Sequence, residues 1–154
     1  MNELTNRVQA LLKSGETRPQ VLENVLREVL QHFNSETGTI HLLNPEKQLL
    51  LLAAQIGLPP QMLGIVQTIP VGKGIAGQVA AENRPVTICN LQTDATGVAR
   101  PGAKQTGVGG ALCVPMRRGE TLVGTLGIGT LREYDYSAAE INLLQDVAAL
   151  VAAY

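Results

Sequence analysis

The amino-acid sequence predicts an α+β fold in which helices pack on the faces of an antiparallel sheet. Long apolar patterns of helical period occur near the two ends of the 154-residue chain. Between them, apolar residues follow the two-residue period of strands, arranged as two hairpins with short helical segments between them. A parallel sheet would need long helices alternating with its strands, and this sequence lacks that alternation.

Two helices are predicted before the first strand. The first covers about residues 3–13 and ends at Ser14-Gly15. The second begins near Pro19, a residue that suits a first helical turn. Apolar side chains recur along this second helix at the spacing of one buried face: Leu22, Val25, Leu26, Val29, Leu30 and Phe33.

The middle of the chain predicts an antiparallel sheet with one short helix. Pro70 confines its strand to an edge or a bend, because proline cannot donate a hydrogen bond to a neighbouring strand. The least regular part is residues 90–110, with five glycines and one proline. A helix is predicted at residues 75–82, and strands are predicted at residues 38–44, 48–55, 67–71, 86–89, 111–116 and 122–131.

The last predicted helix begins at Ser137. Glu140 follows three residues later, the spacing of a capping box that satisfies two unpaired backbone donors. The apolar face of this helix runs to Tyr154 without a glycine cap. We therefore expect the helix to continue into an output domain in the full-length protein.

Composition argues against several classes of function. The net charge is −1, the basic residues are scattered, and one Phe, three Tyr and no Trp offer few stacking platforms. Nucleic acid is therefore not expected as a partner. No apolar run reaches membrane-spanning length and no secretory signal begins the chain, so neither a membrane nor secretion is expected. Cys89 and Cys113 have no metal-site spacing, and we interpret them as two buried, reduced thiols of a cytoplasmic protein.

Four segments, taken in order, resemble the GAF domain family over nearly the whole chain. Residues 39–44 are similar to its opening strand, and residues 53–59 end in the Gly-Leu-Pro that often follows its second strand. Residues 69–80, Ile-Pro-Val-Gly-Lys-Gly-Ile-Ala-Gly-Gln-Val-Ala, resemble its most recognisable block. Residues 111–116 and 124–128 resemble its last hairpin. Residues 1–16 are expected to form an N-terminal helix and linker, and residues 17–154 the GAF domain.

The resemblance implies a PAS-like, five- or six-stranded antiparallel sheet with the N- and C-terminal helices on one face. Helical inserts and a loop would cover a ligand pocket on the other face. GAF domains bind cyclic nucleotides, tetrapyrroles, small metabolites or ions, and some only dimerise. The expected function is that of a regulatory small-molecule sensor without catalytic residues. It would bind a small polar or anionic ligand and relay binding through the terminal helices to an output domain.

Departures from the family pattern narrow the range of ligands and activities to be expected. Residues 127–130, Gly-Ile-Gly-Thr, stand where cyclic-nucleotide-binding relatives have Asn-Lys, so a cyclic nucleotide is not expected. Relatives that reduce free methionine sulfoxide carry a thiol beside the glycine block, and residues 74–77 contain none. That reductase stays a distant alternative. The sequence identifies no cofactor and no metal.

Polar side chains in the first hairpin form the main candidate site. Thr39 and His41 alternate with Ile40 and Leu42, although a strand between two dry layers should be apolar throughout. The resemblance implies that Gln55 lies on the same face as Thr39 and His41. These three side chains either contact a ligand or form a buried polar cluster satisfied by backbone or water.

The glycine block and the irregular segment supply the other candidates. Gly74 and Ile75 begin the predicted helix, whose unpaired N–H groups could attract an anionic group of a ligand. The block matches the dinucleotide pattern GxGxxG, but no parallel crossover surrounds it, so a dinucleotide site is not expected. Asp94 lies in a segment that is either a ligand lid or a solvated loop. Cys113 is a packing residue or a ligand contact.

The alternative function is a ligand-free dimerisation module. The small residues Ala53, Ala54, Gly127 and Gly129 could close the core without a cavity. A homodimer is also expected with either function, through a bundle formed by the apolar faces of the terminal helices. The residues of these faces are Leu4, Val8, Leu11, Leu144, Ala148 and Val151.

Overall fold

The computed structural model describes residues 2–93 and 107–154 and confirms the α+β fold. Its helices are α1 (Glu3–Leu12), α2 (Arg18–Phe33), α3 (Leu63–Val66), α4 (Gly74–Glu82) and α5 (Ala138–Ala153), with a 3₁₀ turn at Pro60–Met62. Its strands are β1 (Thr37–Asn44), β2 (Leu49–Ile56), β3 (Thr68–Pro70), β4 (Val86–Ile88), β5 (Ala111–Arg118) and β6 (Thr121–Gly129). All six predicted strands are present.

The six strands form one antiparallel sheet in the order β3-β2-β1-β6-β5-β4. The two hairpins meet at its centre, where β1 pairs with β6. Pro70 ends the edge strand β3, as predicted, so its missing N–H removes no hydrogen bond from the middle of the sheet. Within the described residues, no helix is both long and apolar enough to cross a membrane.

Helices α2 and α5 pack on one face of the sheet, called here the helix face, and α1 packs on these two helices. The apolar stripe predicted on α2 is confirmed, because each of its six residues is at most 7% exposed. Alternate residues of the central strands meet these helices, among them Ile40, Leu126 and Val114, all fully buried. This face holds the main hydrophobic core.

The capping box predicted at the start of α5 is present. The Ser137 hydroxyl accepts a hydrogen bond from the Glu140 backbone N–H, and the Glu140 carboxylate accepts one from the Ser137 N–H. The Tyr134 hydroxyl also donates to this carboxylate. The start of α5 is therefore fixed against the segment that follows β6.

The apolar faces of the terminal helices are buried inside one chain. Leu4 and Val8 of α1 pack against α2 and α5, and both are fully buried. Leu144, Ala148 and Val151 of α5 are at most 3% exposed. These five side chains are therefore packed within one chain, whereas Leu11 is only partly buried. The homodimer through the terminal helices stays a prediction.

The opposite face of the sheet, called here the cavity face, is covered by α3 and α4 and has two small apolar clusters. One contains Leu50, Ile69 and Ala80, and the other contains Ile88, Leu91, Val108 and Ala111. Neither cluster approaches the size of the core on the helix face. The packing on the cavity face is therefore discontinuous.

The approach of β1 to β6 predicts a strict requirement for Gly124. A Cβ atom built there would lie 2.1 Å from the carbonyl oxygen of His41, whereas one at Gly64 would meet nothing within 4 Å. We expect Gly124→Ala to lower the free energy of unfolding by at least about 2 kcal/mol, because the strands must separate. Gly64→Ala is the matched control and should leave stability equal or slightly higher. Urea denaturation of both variants measures this, and equal stabilities would contradict the prediction.

Candidate functional site

The polar residues of β1 lie on the cavity face. Thr39 is the cross-strand partner of Gln55 in β2 and of Gly127 in β6, and Gly127 in turn pairs with Cys113 in β5. One row across the sheet therefore runs from the amide of Gln55 to the thiol of Cys113. His41 begins the next row, beside Thr125. The predicted shared face of Thr39, His41 and Gln55 agrees with this register.

A cavity of about 140 Å³ lies over this face. Its floor is formed by the ends of β1, β5 and β6, where Gly127 and Gly129 expose bare backbone. Ile75 and Ala76 close it from the start of α4. Leu58, which follows β2, completes that side. Leu91, Val108 and Ala111 of one small apolar cluster line the cavity, and Ala76 borders the other cluster.

Neither of the two floor glycines has room for a side chain unless its neighbours shift. A Cβ at Gly127 would lie 3.2 Å from the Thr39 hydroxyl and 3.6 Å from the Cys113 sulfur. A Cβ at Gly129 would lie 2.7 Å from the Thr37 hydroxyl and 2.9 Å from a methyl carbon of Val108. Gly127 and Gly129 line the cavity with backbone, and a side chain at either position would displace the neighbouring threonine hydroxyl.

Among the described residues, two threonine hydroxyl groups line this cavity. Thr37 is 6% exposed and Thr39 is half-buried. In the described part of the chain, neither side chain makes a hydrogen bond. A hydroxyl can both donate and accept, so each could bind a polar group that enters the cavity.

The Cys113 thiol also lines the cavity, and it is a poor nucleophile. The residue is 5% exposed, and burial raises the pKa of its thiol to about 12. It stays protonated at neutral pH, and a protonated thiol is a poor nucleophile. In this position Cys113 offers a small apolar wall with a weak S–H donor.

Cys89 was predicted to be buried, and that prediction is wrong. Strand β4 ends at Ile88, so Cys89 lies past the sheet edge and is exposed, with its Sγ donating to the Glu133 carboxylate. Partial desolvation and the negative charge of Glu133 raise the pKa of this thiol. Among the described residues, no group of His, Cys, Asp or Glu side chains could hold a metal ion.

The side chains of His41 and Gln55 form hydrogen bonds with the protein's own backbone. His41 is 2% exposed, and its Nε2 lies 2.8 Å from the carbonyl oxygen of Val66, the last residue of α3. The Gln55 side-chain oxygen accepts a hydrogen bond from the Leu58 N–H at 3.3 Å. Neither side chain is among the described residues that line the cavity. The backbone satisfies this pair only in part, because His41 Nδ1 is buried without a hydrogen-bond partner in the described structure, and ligand contact by His41 and Gln55 stays a prediction.

The glycine block forms the turn from β3 into α4. Gly72 and Gly74 adopt positive φ angles of 93° and 67°, and a Cβ at Gly77 would lie 2.6 Å from the Pro70 carbonyl oxygen. The glycines therefore let α4 fold back onto the edge strand, and the antiparallel β3 rules out a dinucleotide crossover. Of the two predicted residues here, Ile75 lines the cavity and Gly74 only begins the helix.

Asp94, predicted to lie in a lid, falls outside the described residues. The residues on either side of that segment are described. Leu91 donates its N–H to the Gly109 carbonyl oxygen at 2.6 Å. Leu91 and Val108 both line the cavity.

Comparison with known proteins identifies a family. The model of the GAF domain matches residues 15–154. No match is found among curated protein sequences.

Among solved structures, the chain is similar to GAF domains of phosphoenolpyruvate-protein phosphotransferases. The Acinetobacter domain has 21% identity and a TM-score of 0.82, over 99% of this chain and 93% of that one. The Coxiella burnetii domain has 18% identity and a TM-score of 0.83, over 98% and 89%. The chain is also similar to a free methionine-R-sulfoxide reductase from Neisseria meningitidis solved with its substrate, at 16% identity and a TM-score of 0.80, over 98% and 85%. At these identities the comparisons establish a common fold.

Burial of His41 predicts a pH-dependent component of stability. Burial lowers the pKa of His41 below its ordinary value of 6.5, so the folded protein takes up this proton less readily than the unfolded chain. As the pH falls below about 6.5, unfolding becomes coupled to protonation, and the free energy of unfolding should fall by up to about 1.4 kcal/mol per pH unit. His41→Gln should lose this component.

Urea denaturation between about pH 5 and pH 8 measures this effect. The exposed His32 provides the matched control, because His32→Gln should keep the pH dependence of the unaltered protein. An identical pH dependence in His41→Gln and the unaltered protein would show that His41 does not contribute.

Proposed function

The chain belongs to the GAF domain family, and we propose that it is a regulatory domain whose cavity over Gly127 and Gly129 binds a small molecule. Thr39, Ile75 and Cys113 would contact this ligand, and His41 and Gln55 would fix the walls around it. The cavity carries the proposal. It is lined largely by apolar groups with a few polar ones, the usual composition of a small-molecule site.

The route from the cavity to the terminal helices is short, because one sheet separates them. In β5, Cys113 lies on the cavity face, whereas its neighbours Leu112 and Val114 pack into the core with α5. In β6, Gly127 likewise lies on the cavity face, whereas its neighbours Leu126 and Ile128 pack into the core. A ligand that displaced these strands would therefore change the packing of α5 directly. A coupling of about 1–3 kcal/mol is sufficient for regulation.

The far end of α5 is also attached to the sheet. Arg118, at the end of β5, donates from Nε to the carbonyl oxygen of Ala152. The Arg18 guanidinium lies 5.7 Å from the centre of the Tyr154 ring, which favours a cation–π contact. We propose that α5 transmits binding to an attached output domain in a cytoplasmic signalling protein.

The two alternatives account for the cavity less well. A ligand-free dimerisation module predicts no internal cavity, whereas a cavity of about 140 Å³ lies on the face opposite the main core. A sulfoxide reductase needs a reactive thiolate, whereas the pKa values of both Cys89 and Cys113 are raised. The likeness to reductase structures is a likeness of fold. We therefore favour ligand binding without catalysis.

Filling the cavity should abolish ligand binding. Ala76 lines the cavity and Ala81 is exposed on the same helix, so Ala76→Leu and Ala81→Leu make a matched pair. After incubation with a cell extract, native mass spectrometry of the unaltered protein should show excess mass that disappears on denaturation. We expect Ala81→Leu to retain this mass and Ala76→Leu to lose it by about tenfold or more in occupancy. No excess mass in the unaltered protein, or equal mass in both variants, would contradict the proposal.

The catalytic alternative makes a separate prediction. With dithiothreitol as reductant, the unaltered protein should reduce free methionine sulfoxide no faster than the Cys89→Ser/Cys113→Ser double variant does. The reason is that both thiols stay protonated near neutral pH. Product analysis by chromatography measures methionine directly. Reduction that disappears in the double variant would establish an enzyme and overturn the assignment as a purely regulatory domain.

A further inference from the structure

We infer that the cavity selects an uncharged ligand of about six non-hydrogen atoms, with an apolar body and one hydroxyl, carbonyl or amide group. This inference rests on the proposed function, because it specifies what the same cavity binds. It differs from the polar or anionic ligand that the sequence led us to expect. Size, charge and the placement of polar groups carry it.

Size sets the first limit. The cavity measures about 140 Å³, close to the roughly 150 Å³ of an apolar cavity that holds benzene. Nucleotides and tetrapyrroles are several times larger than benzene. The described cavity therefore encloses a compact group, such as a short branched chain or a single small ring.

Charge sets the second limit. Among the described residues that line the cavity, no side chain is charged. An anion would also meet the start of α4, but one helix terminus carries only a partial positive charge. Removing an ion from water costs more free energy than that partial charge returns. A neutral ligand avoids this cost.

The threonine hydroxyls set the third limit. Thr37 is more than nine-tenths buried, lines the cavity, and has no hydrogen-bond partner in the described structure. Thr39 lies two residues along the same strand, so both hydroxyls lie on one side of the cavity. The opposite walls are apolar and include Ile75, Leu91 and Val108. A ligand with one polar end and an apolar body matches this division.

Two nearly isosteric probes test the charge preference, namely isobutyramide and isobutyrate at about pH 7. Methyl resonances of Ile75, Leu91 and Val108 report on the cavity, and those of Val25 and Leu26, buried on the helix face, are the control. We expect isobutyramide to shift the cavity methyls saturably and isobutyrate to bind about tenfold more weakly or worse. Equal or tighter binding of isobutyrate would overturn the inference.

A double variant tests the role of the hydroxyls. Thr37→Val/Thr39→Val keeps the side-chain shape and removes both hydroxyls. We expect it to bind isobutyramide about fivefold more weakly, because a hydrogen bond is lost. Benzene, which needs no hydrogen bond, should bind the variant within about twofold of the unaltered protein, and this also shows that the variant is folded. Unchanged isobutyramide affinity would overturn the assigned role of Thr37 and Thr39.

The outcomes separate this inference from the proposed function. If Ala76→Leu loses a bound mass that proves to be an anion, the cavity is a ligand site and the inference on charge is wrong. If neither isobutyramide nor benzene shifts the cavity methyls and no mass is bound, the inference and the proposed function both fail.

Discussion

The packing of α2 and α5 against the central strands is the interaction on which the rest of the structure depends. It places the large apolar residues of β1, β5 and β6 on the helix face, where they are fully buried. Gly38 lets α2 approach closely, since a Cβ there would lie 3.2 Å from the side chains of Leu26 and Leu30. Because side chains alternate along a strand, the residues between these apolar positions must point to the cavity face. Small and polar residues occupy those positions.

The cavity therefore follows from how the sequence divides its volume between the two faces. Thr39, Gly127 and Cys113 form one row on the cavity face, and none of them fills the space that a leucine would. Helix α4 cannot compensate by moving inward, because its start is already in close contact with the edge strand, where Gly77 faces the Pro70 carbonyl. Interiors normally pack with few voids, so a gap produced by small residues on several strands is a feature of this sequence.

The sequence predicted the elements whose signals are local, and it missed features that depend on distant neighbours. The stripe of α2 and the capping box of α5 are each complete within one segment, which explains why they were predictable. The face of Gln55 is different, because a bulge opposite Ile40 and His41 shifts the register of β2. Simple alternation from Leu50 would have placed Gln55 on the helix face, and only the resemblance to GAF domains placed it correctly.

The candidate site shows the same division between local and distant information. Thr39 and His41 stood out as polar residues in an apolar strand, but the strand pattern could not tell which of them met open space. That depends on α3, because the carbonyl oxygen of its last residue is hydrogen-bonded to Nε2 of His41. Helix α3 is only four residues long, so its sequence signal is weak. Thr37 was missed because it lies at the strand's first residue, where a polar side chain is common. Its burial comes from the chain beyond Gly107, whose Val108 contacts the same cavity.

A sheet with a dry core on one side and a cavity on the other is suited to coupling. Close-packed interiors resist small displacements, so movement of β5 or β6 must be transferred to the helices they contact. The cavity face can yield, because a 140 Å³ gap and two small clusters oppose movement less than a full core would. Ser137 and Arg118 attach the two ends of α5 to the structure on the other side of these strands. Contacts made in the gap would therefore act on strands that pack directly against α5, which is the relation that the proposed regulatory role needs.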